Sequence, residues 1–308
     1  MSVHTIAIGE CMLELTHSSD TELQLSVAGD TFNTAVHLRR QLGERDTVTY
    51  FTALGDSWYA DFVRQRITAE SVTPALVPGP GTPGAYFIRT DDAGERSFAY
   101  YRSASAAQHM LRGSGARLLE AACSGVDLVH ISAITLQILD QPSRETLARI
   151  LARVRSAQVR VSLDTNYRPS GWTDADSARA TIDEFAGLAD IVLPSLDDER
   201  ALRGATDAVG VARHYRDQGA DEVVVKDSTD PATVSWASHQ AIIPVASYRT
   251  AVDTTGAGDA FAAGYLAGRL HDADPPASVR LGQRVAADVV MHPGAIAGAT
   301  RSVAAPQR

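Results

Sequence analysis

A chain of 308 residues with 44% hydrophobic and 21% charged residues can bury a sizeable core, and suits one large α/β domain or one domain with a small appendage. A net charge of −9 without a basic cluster speaks against a nucleic-acid partner, and the lack of a long apolar run speaks against a membrane span. Cys11 and Cys123 stand at no metal-ligand spacing with any histidine, and the start MSVHTIAIGE has no secretory-leader pattern, so the expected compartment is the reducing cytoplasm.

In chain order, VHTIAI (3–8) reads as a short buried strand ending at Gly9. Apolar positions over 31–42 suit one helix face, then come a strand at 48–54 and a helix at 60–70. The pattern changes at GAYFIRT (84–90) and RSFAYYR (96–102), two aromatic strands joined by DDAGE, a glycine-containing hairpin turn. The alternation then resumes. Strands are expected at 127–132, 159–164, 191–193 and 222–226, and helices at 142–157, 176–186, 196–202 and 209–218. A strand pair at 233–236 and 241–243 precedes helices at about 257–270 and 278–291, and the tail AAPQR reads as frayed. Strand–helix alternation argues for a parallel sheet covered on both faces. The hairpin, with residues 12–26, is expected as a small extra sheet at one edge, placed to act as a lid.

The segment VDTTGAGDAFAAGYLAG (252–268) carries the strongest chemical signal. A helix start offers free N–H groups and the positive end of the helix dipole. Gly256 and Gly258 let the backbone approach a ligand with no Cβ in the way, so the segment reads as an anion hole. A tight helix entry would also use these glycines, and Asp259 alone could be an ordinary helix-start acid. A dinucleotide fingerprint fits poorly, because Phe261 stands where its third glycine belongs.

This segment resembles the C-terminal signature of the ribokinase-like, or PfkB-type, sugar kinases. AGDTFNTA (28–35) and FTALGDSWYADF (51–62) resemble the family's N-terminal motifs, in the expected order along nearly the whole chain. The resemblance implies a ribokinase-like αβα sandwich with a mainly parallel central sheet and a small β-sheet lid, formed by segments at about 12–28 and 80–106. Within the family, GERSFAYYRSASAA (94–107), LDTNYRPSGW (163–172) and LPSLDDE (193–199) are most similar to 2-keto-3-deoxygluconate kinases. A keto-deoxy sugar acid carries a carboxylate, which the planar fork of arginine suits; Arg102 and Arg168, each set in one of these motifs, are the expected partners.

The implied reaction is phosphoryl transfer from ATP to the terminal hydroxyl of the sugar acid. By resemblance, Asp259 is the general base, and the amides of Gly256, Ala257 and Gly258 hold the phosphates. Mg²⁺ neutralises those phosphates, bound largely through water and phosphate oxygens. Gly29, Asp30 and Asn33 match the sugar-hydroxyl site, and Tyr86 and Tyr101 on the lid are expected to cover the sugar. Asp253 is expected to orient the sugar or to hold a monovalent cation such as K⁺. Asn166, Ser195, Lys226 and Ser228 are expected on the nucleotide side, with Ser195 equally readable as a helix cap. After Lys226, the chain's only lysine, the sequence departs from the pattern: Ser228 replaces a glycine in the loop that lies along the nucleotide. Relatives also imply a homo-oligomer paired through the lid sheet, which would cover an otherwise open edge. Three alternatives stand beside this reading. They are a kinase for 2-keto-3-deoxygalactonate, one for fructose or 5-keto-2-deoxygluconate, and a non-catalytic sugar-acid binder suggested by the altered loop.

Overall fold

A computed structural model describes residues 2–90, 96–245 and 250–296. β1 (His4–Ile8) leads into an antiparallel pair, β2 (Met12–His17) and β3 (Leu23–Ala28), followed by α1 (Asp30–Gln41), β4 (Thr47–Ala53), α2 (Trp58–Ala69) and β5 (Thr73–Val77). β6 (Ala85–Thr90) and β7 (Arg96–Tyr101) pair antiparallel as expected. The expected turn at 91–95 and the tail at 304–308 lie outside the described residues. Then come α3 (Gly115–Ala122), β8 (Leu128–Ser132), α4 (Ala133–Ile138), α5 (Gln141–Ser156), β9 (Arg160–Asp164), α6 (Ala175–Ala186) and β10 (Ile191–Val192). The chain continues through α7 (Leu196–Arg203), α8 (Ala208–Asp217), β11 (Glu222–Val225), β12 (Ala232–Trp236), β13 (His239–Ile243), α9 (Ala257–Leu270) and α10 (Pro275–Val289).

The strands form two sheets. The larger has the order β13-β12-β11-β10-β9-β8-β1-β4-β5, parallel from β11 to β5 and closed at one edge by the antiparallel β12–β13 pair. The smaller, β3-β2-β6-β7, is a sheet of its own rather than an extension of the first edge. Its centre is the parallel pairing of β2 with β6, a long-range contact that hairpin reasoning does not reach.

Successive residues of a strand point to opposite faces of a sheet, and β1 divides accordingly. Ile6 and Ile8 join the core beneath α3, α5 and α6, while Ala7 joins the core beneath α1, α2 and α9. α9 and α10 touch backbone to backbone, since a Cβ on Gly264 would lie 2.7 Å from the Gly282 Cα. Three elements lacked a clear sequence signal. β5 is a partly buried edge strand with a proline inside it, α3 has no side-chain cap, and α4 spans six residues. α10 starts earlier than its apolar spacing suggests, at Pro275, with the Asp274 carboxylate accepting from the Ala277 N–H at 2.6 Å; Asp-Pro-Pro is a readable start signal.

Candidate active site

The C-terminal ends of β1, β9, β10 and β11 open into one cleft of roughly 1420 Å³, roofed by the small sheet. Ligands bind at this end of open α/β sheets because the loops and helix N-termini gather there. The volume exceeds what one drug-sized ligand fills, so two ligands can lie side by side.

At the cleft floor α9 begins at Gly256, whose φ of +76° lies in the left-handed region, and no side chain caps the helix. A Cβ at Gly256 would come within 2.8 Å of the Ala295 Cβ, so the turn packs directly on that residue. The Ala295 carbonyl accepts a hydrogen bond from His37 Nε2 at 2.8 Å; burial lowers this imidazole to about 4, so it is neutral. Gly258 faces Lys226: a Cβ there would lie 3.8 Å from Nζ. The ammonium is held by Asp164 at 2.6 Å, so a positive group sits beside the uncapped amides. An uncapped helix start and a lysine thus meet at one place, an arrangement chemically suited to an anion.

Asp259 stands in the first turn of α9 and does not cap it. Its carboxylate accepts instead from Asn33 Nδ2 at 2.8 Å, across from α1. Burial in the cleft, and next the charge of Asp30, raise this group to about 8, against the opposing pull of Asn33 and Lys226. A carboxylate raised in this way is, once ionised, a stronger proton acceptor than an ordinary one. Asp30 accepts from Asn166 Nδ2 at 3.0 Å, so these two expected site residues touch. Gly29 supplies space, since a Cβ there would collide with the Glu10 carbonyl oxygen.

Arg102 and Arg168 line the same cleft, one from the lid and one from the loop after β9. Arg102 is already ion-paired with Glu10, a buried carboxylate at the end of β1 that burial raises. Arg168 donates to the Tyr167 carbonyl at 2.8 Å and to Asp198 at 3.2 Å. Asp253, expected to orient the sugar or hold a cation, has its oxygens occupied. Arg96 grips both of them, and the Thr255 and Gly294 amides donate at 2.9 and 2.6 Å. Burial would raise Asp253, but these bonds outweigh it and hold the group at about 2.

Tyr101 is the expectation that the structure overturns. It is 66% exposed, its ring packs on Phe87 outside the lid, and Tyr100 lines the cleft in its place. Along a strand, every second residue shares a face, so Arg96, Phe98, Tyr100 and Arg102 look inward together and Tyr101 cannot. That parity was readable once Arg102 had been assigned inward, and it would have found Arg96 as well. Tyr86 does face the cleft, hydrogen-bonded to Glu14. Ser195 caps α7, its hydroxyl accepting from the Asp198 N–H at 3.1 Å, while still lining the cleft. Ser228 has a φ of +46°, in the left-handed region that a glycine adopts most readily. Among the described residues no group of three or more His, Cys, Asp or Glu could hold a metal ion by itself. No helix there is long and apolar enough to cross a membrane.

Comparison with known proteins shows the family. The model of the pfkB family of carbohydrate kinases matches residues 4–301. A 2-dehydro-3-deoxygluconokinase of Escherichia coli (strain K12) is 34% identical over 303 residues, 96% of this chain and 97% of the relative. The solved PfkB protein from Polaromonas sp. JS666 superposes with a TM-score of 0.81 at 27% identity, covering 93% of this chain and 95% of that one. A putative ribokinase II from E. coli, solved in complex with ATP and Mg²⁺, shares the fold, with a TM-score of 0.82 at 20% identity over 96% and 94% of the two chains. With an uncapped glycine turn, an adjoining carboxylate and a β-sheet roof in the family's order, the chain belongs to the pfkB family of carbohydrate kinases, phosphotransferases with an alcohol acceptor.

Proposed function

We propose that this kinase phosphorylates the terminal (6-) hydroxyl of 2-keto-3-deoxy-D-gluconate at the expense of ATP. The observation that carries the reading is the position of Asp259, a raised carboxylate on the same helix end as the Gly256–Gly258 amides. Asp259 takes the proton of the acceptor hydroxyl as the oxygen attacks. The amides, with Lys226 beside them, balance charge developing on the transferred group. When bound, ATP would supply the phosphoryl group, and Mg²⁺ would offset the charge of its phosphates, held largely by phosphate oxygens and water. Asp30, Asn33 and Asn166 hold sugar hydroxyls, Tyr86 and Tyr100 cover the ring, and Arg102 and Arg168 meet the carboxylate. Pairing of two copies through the lid belongs to the same proposal, supported by exposed Leu25 and Tyr101; a purely monomeric mass in sedimentation would remove that part.

A second reading has its own observation. Arg102 is already neutralised by Glu10, which suits an uncharged ketose such as fructose. A coupled ADP-release assay over keto-sugars and sugar acids separates the two. The sugar-acid reading requires a preference for 2-keto-3-deoxygluconate that collapses in Arg102→Ala and Arg168→Ala. Equal turnover of fructose, or indifference to both substitutions, gives the site to a neutral sugar. The non-catalytic alternative is disfavoured by membership of a family of carbohydrate kinases, and sugar-dependent ADP release that is lost in Asp259→Asn would exclude it.

A further inference from the structure

We propose that Arg96 is a positioning residue for phosphoryl transfer, tying closure of the lid to the backbone of the anion hole and neutralising Asp253 beside it. The inference rests on the phosphotransfer reading, though not on which sugar is accepted.

Arg96 opens β7, the outermost strand of the lid, and reaches into the cleft. Its guanidinium takes both oxygens of Asp253 and also donates to Thr255 Oγ1 at 2.5 Å. Thr255 directly precedes Gly256, the residue from which α9 and its free amides begin. The same carboxylate accepts from the Thr255 and Gly294 amides, and Ala295, next to Gly294, is what Gly256 packs on. One ion pair therefore joins three segments: the lid strand, the approach to the anion hole and the turn that supports it.

The electrostatic consequence follows from burial. Only 1% of the Asp253 side chain is exposed, so it depends on its protein partners for compensation, and Arg96 is the cation among them. A buried carboxylate stripped of its cation is costly. Here it would also face the place where phosphates must gather. With the lid shut, the pair is neutral and the turn is braced. With the lid lifted, the anion hole borders a bare negative charge and loses the Thr255 bond. Firm phosphate binding is thus reserved for the closed lid, which restrains loss of the phosphoryl group to water.

The test uses the full chain and four variants: Arg96→Gln, Arg96→Lys, Asp253→Asn and the Arg96→Gln/Asp253→Asn double. Hydrogen exchange is followed without ligand at 96–101 and 253–258, and Mg–ATP affinity is measured without sugar. Arg96→Gln is expected to speed exchange in both segments together and to weaken Mg–ATP binding by roughly tenfold or more, the scale of a coupling between two sites. Arg96→Lys is expected to recover part of that affinity. The double variant is expected to bind Mg–ATP better than Arg96→Gln, because the bare carboxylate is gone; a purely structural role would make the losses add. The proposal is overturned if Arg96→Gln loosens only 96–101 with Mg–ATP affinity unchanged, or if the double variant is weaker than either single. The exchange measurement needs no substrate, so it reads the coupling of lid and anion hole even if the sugar assignment is wrong.

Discussion

The floor and the roof of the cleft are built on different physics. On the floor, α9 is buried from Ala260 to Gly268 and presses its glycines against the α10 backbone. On the roof, β7 is exposed along nearly its whole length and meets the core through ion pairs, Arg96 with Asp253 and Arg102 with Glu10. Close packing holds position with little tolerance, whereas charge pairs can part and re-form. Asp259 and the first amides of α9 lie on the packed side, whereas Arg96 and Arg102 lie on the side held by charge.

The sharpest way to break this division is at the base. Asp259→Asn is expected to cut turnover by about 10²–10⁴-fold, the usual value of a positioned acid–base group, while the melting temperature holds or rises because folding no longer has to protonate or bury that acid. Turnover near wild type in an ADP-release assay would remove the base from the floor altogether. Next comes packing. Gly264→Ala places a methyl 2.7 Å from the Gly282 Cα and is expected to cost about 1–3 kcal/mol in urea unfolding. Tyr101→Ser, on the open side of the lid, should stay within about 0.5 kcal/mol in protein dilute enough to be monomeric. Similar losses in both would mean that roof and floor are equally packed.

The pH dependence sharpens the same contrast. Only the ionised form of Asp259 accepts a proton, so kcat/KM should climb as pH rises toward about 8. Asp30→Asn, by removing the second-largest cause of the shift, should move that limb lower; an acid limb in the ordinary carboxylate range of wild type would contradict the site's electrostatics. Fold stability should respond elsewhere. Burial lowers His37 and His130 to about 4, below the value of an unfolded histidine, about 6.5. The unfolded chain therefore binds more protons between those values, and stability, full above about 6.5, should fall as pH drops toward 4. Equilibrium unfolding at a series of pH values checks the sign. The smallest effect is expected at Ser228→Gly, where relief of a left-handed φ should raise stability by about 1 kcal/mol or less in a thermal melt.

Much of the floor was legible in the sequence, because its information is local. Gly256, Gly258 and Asp259 are neighbours in the chain, and a helix start gives them one shared meaning. After Lys226, Ser228 stands where the family pattern suggests a glycine, and its φ of +46° lies in the left-handed region that favours glycine, a conformation the residue type alone does not reveal. The lid was harder. Its hairpin was visible, yet the parallel pairing of β2 with β6 joins residues far apart in the chain, and no turn chemistry announces it. The inward set Arg96, Phe98, Tyr100 and Arg102 obeys strand parity, so placing Tyr101 in the site broke a rule the sequence already contained.

By itself, then, the sequence determined the strand–helix rhythm, the glycine-led helix start and the acid beside it, because periodicity and helix-end chemistry act over a few residues. Only the tertiary structure decided the partners of the charges. Arg96 finds Asp253 across 157 positions and Asn33 finds Asp259 across 226, while Arg102 turns to Glu10 at the end of β1. A buried charge accepts whichever counter-charge folding brings to it, and composition cannot say which one that is.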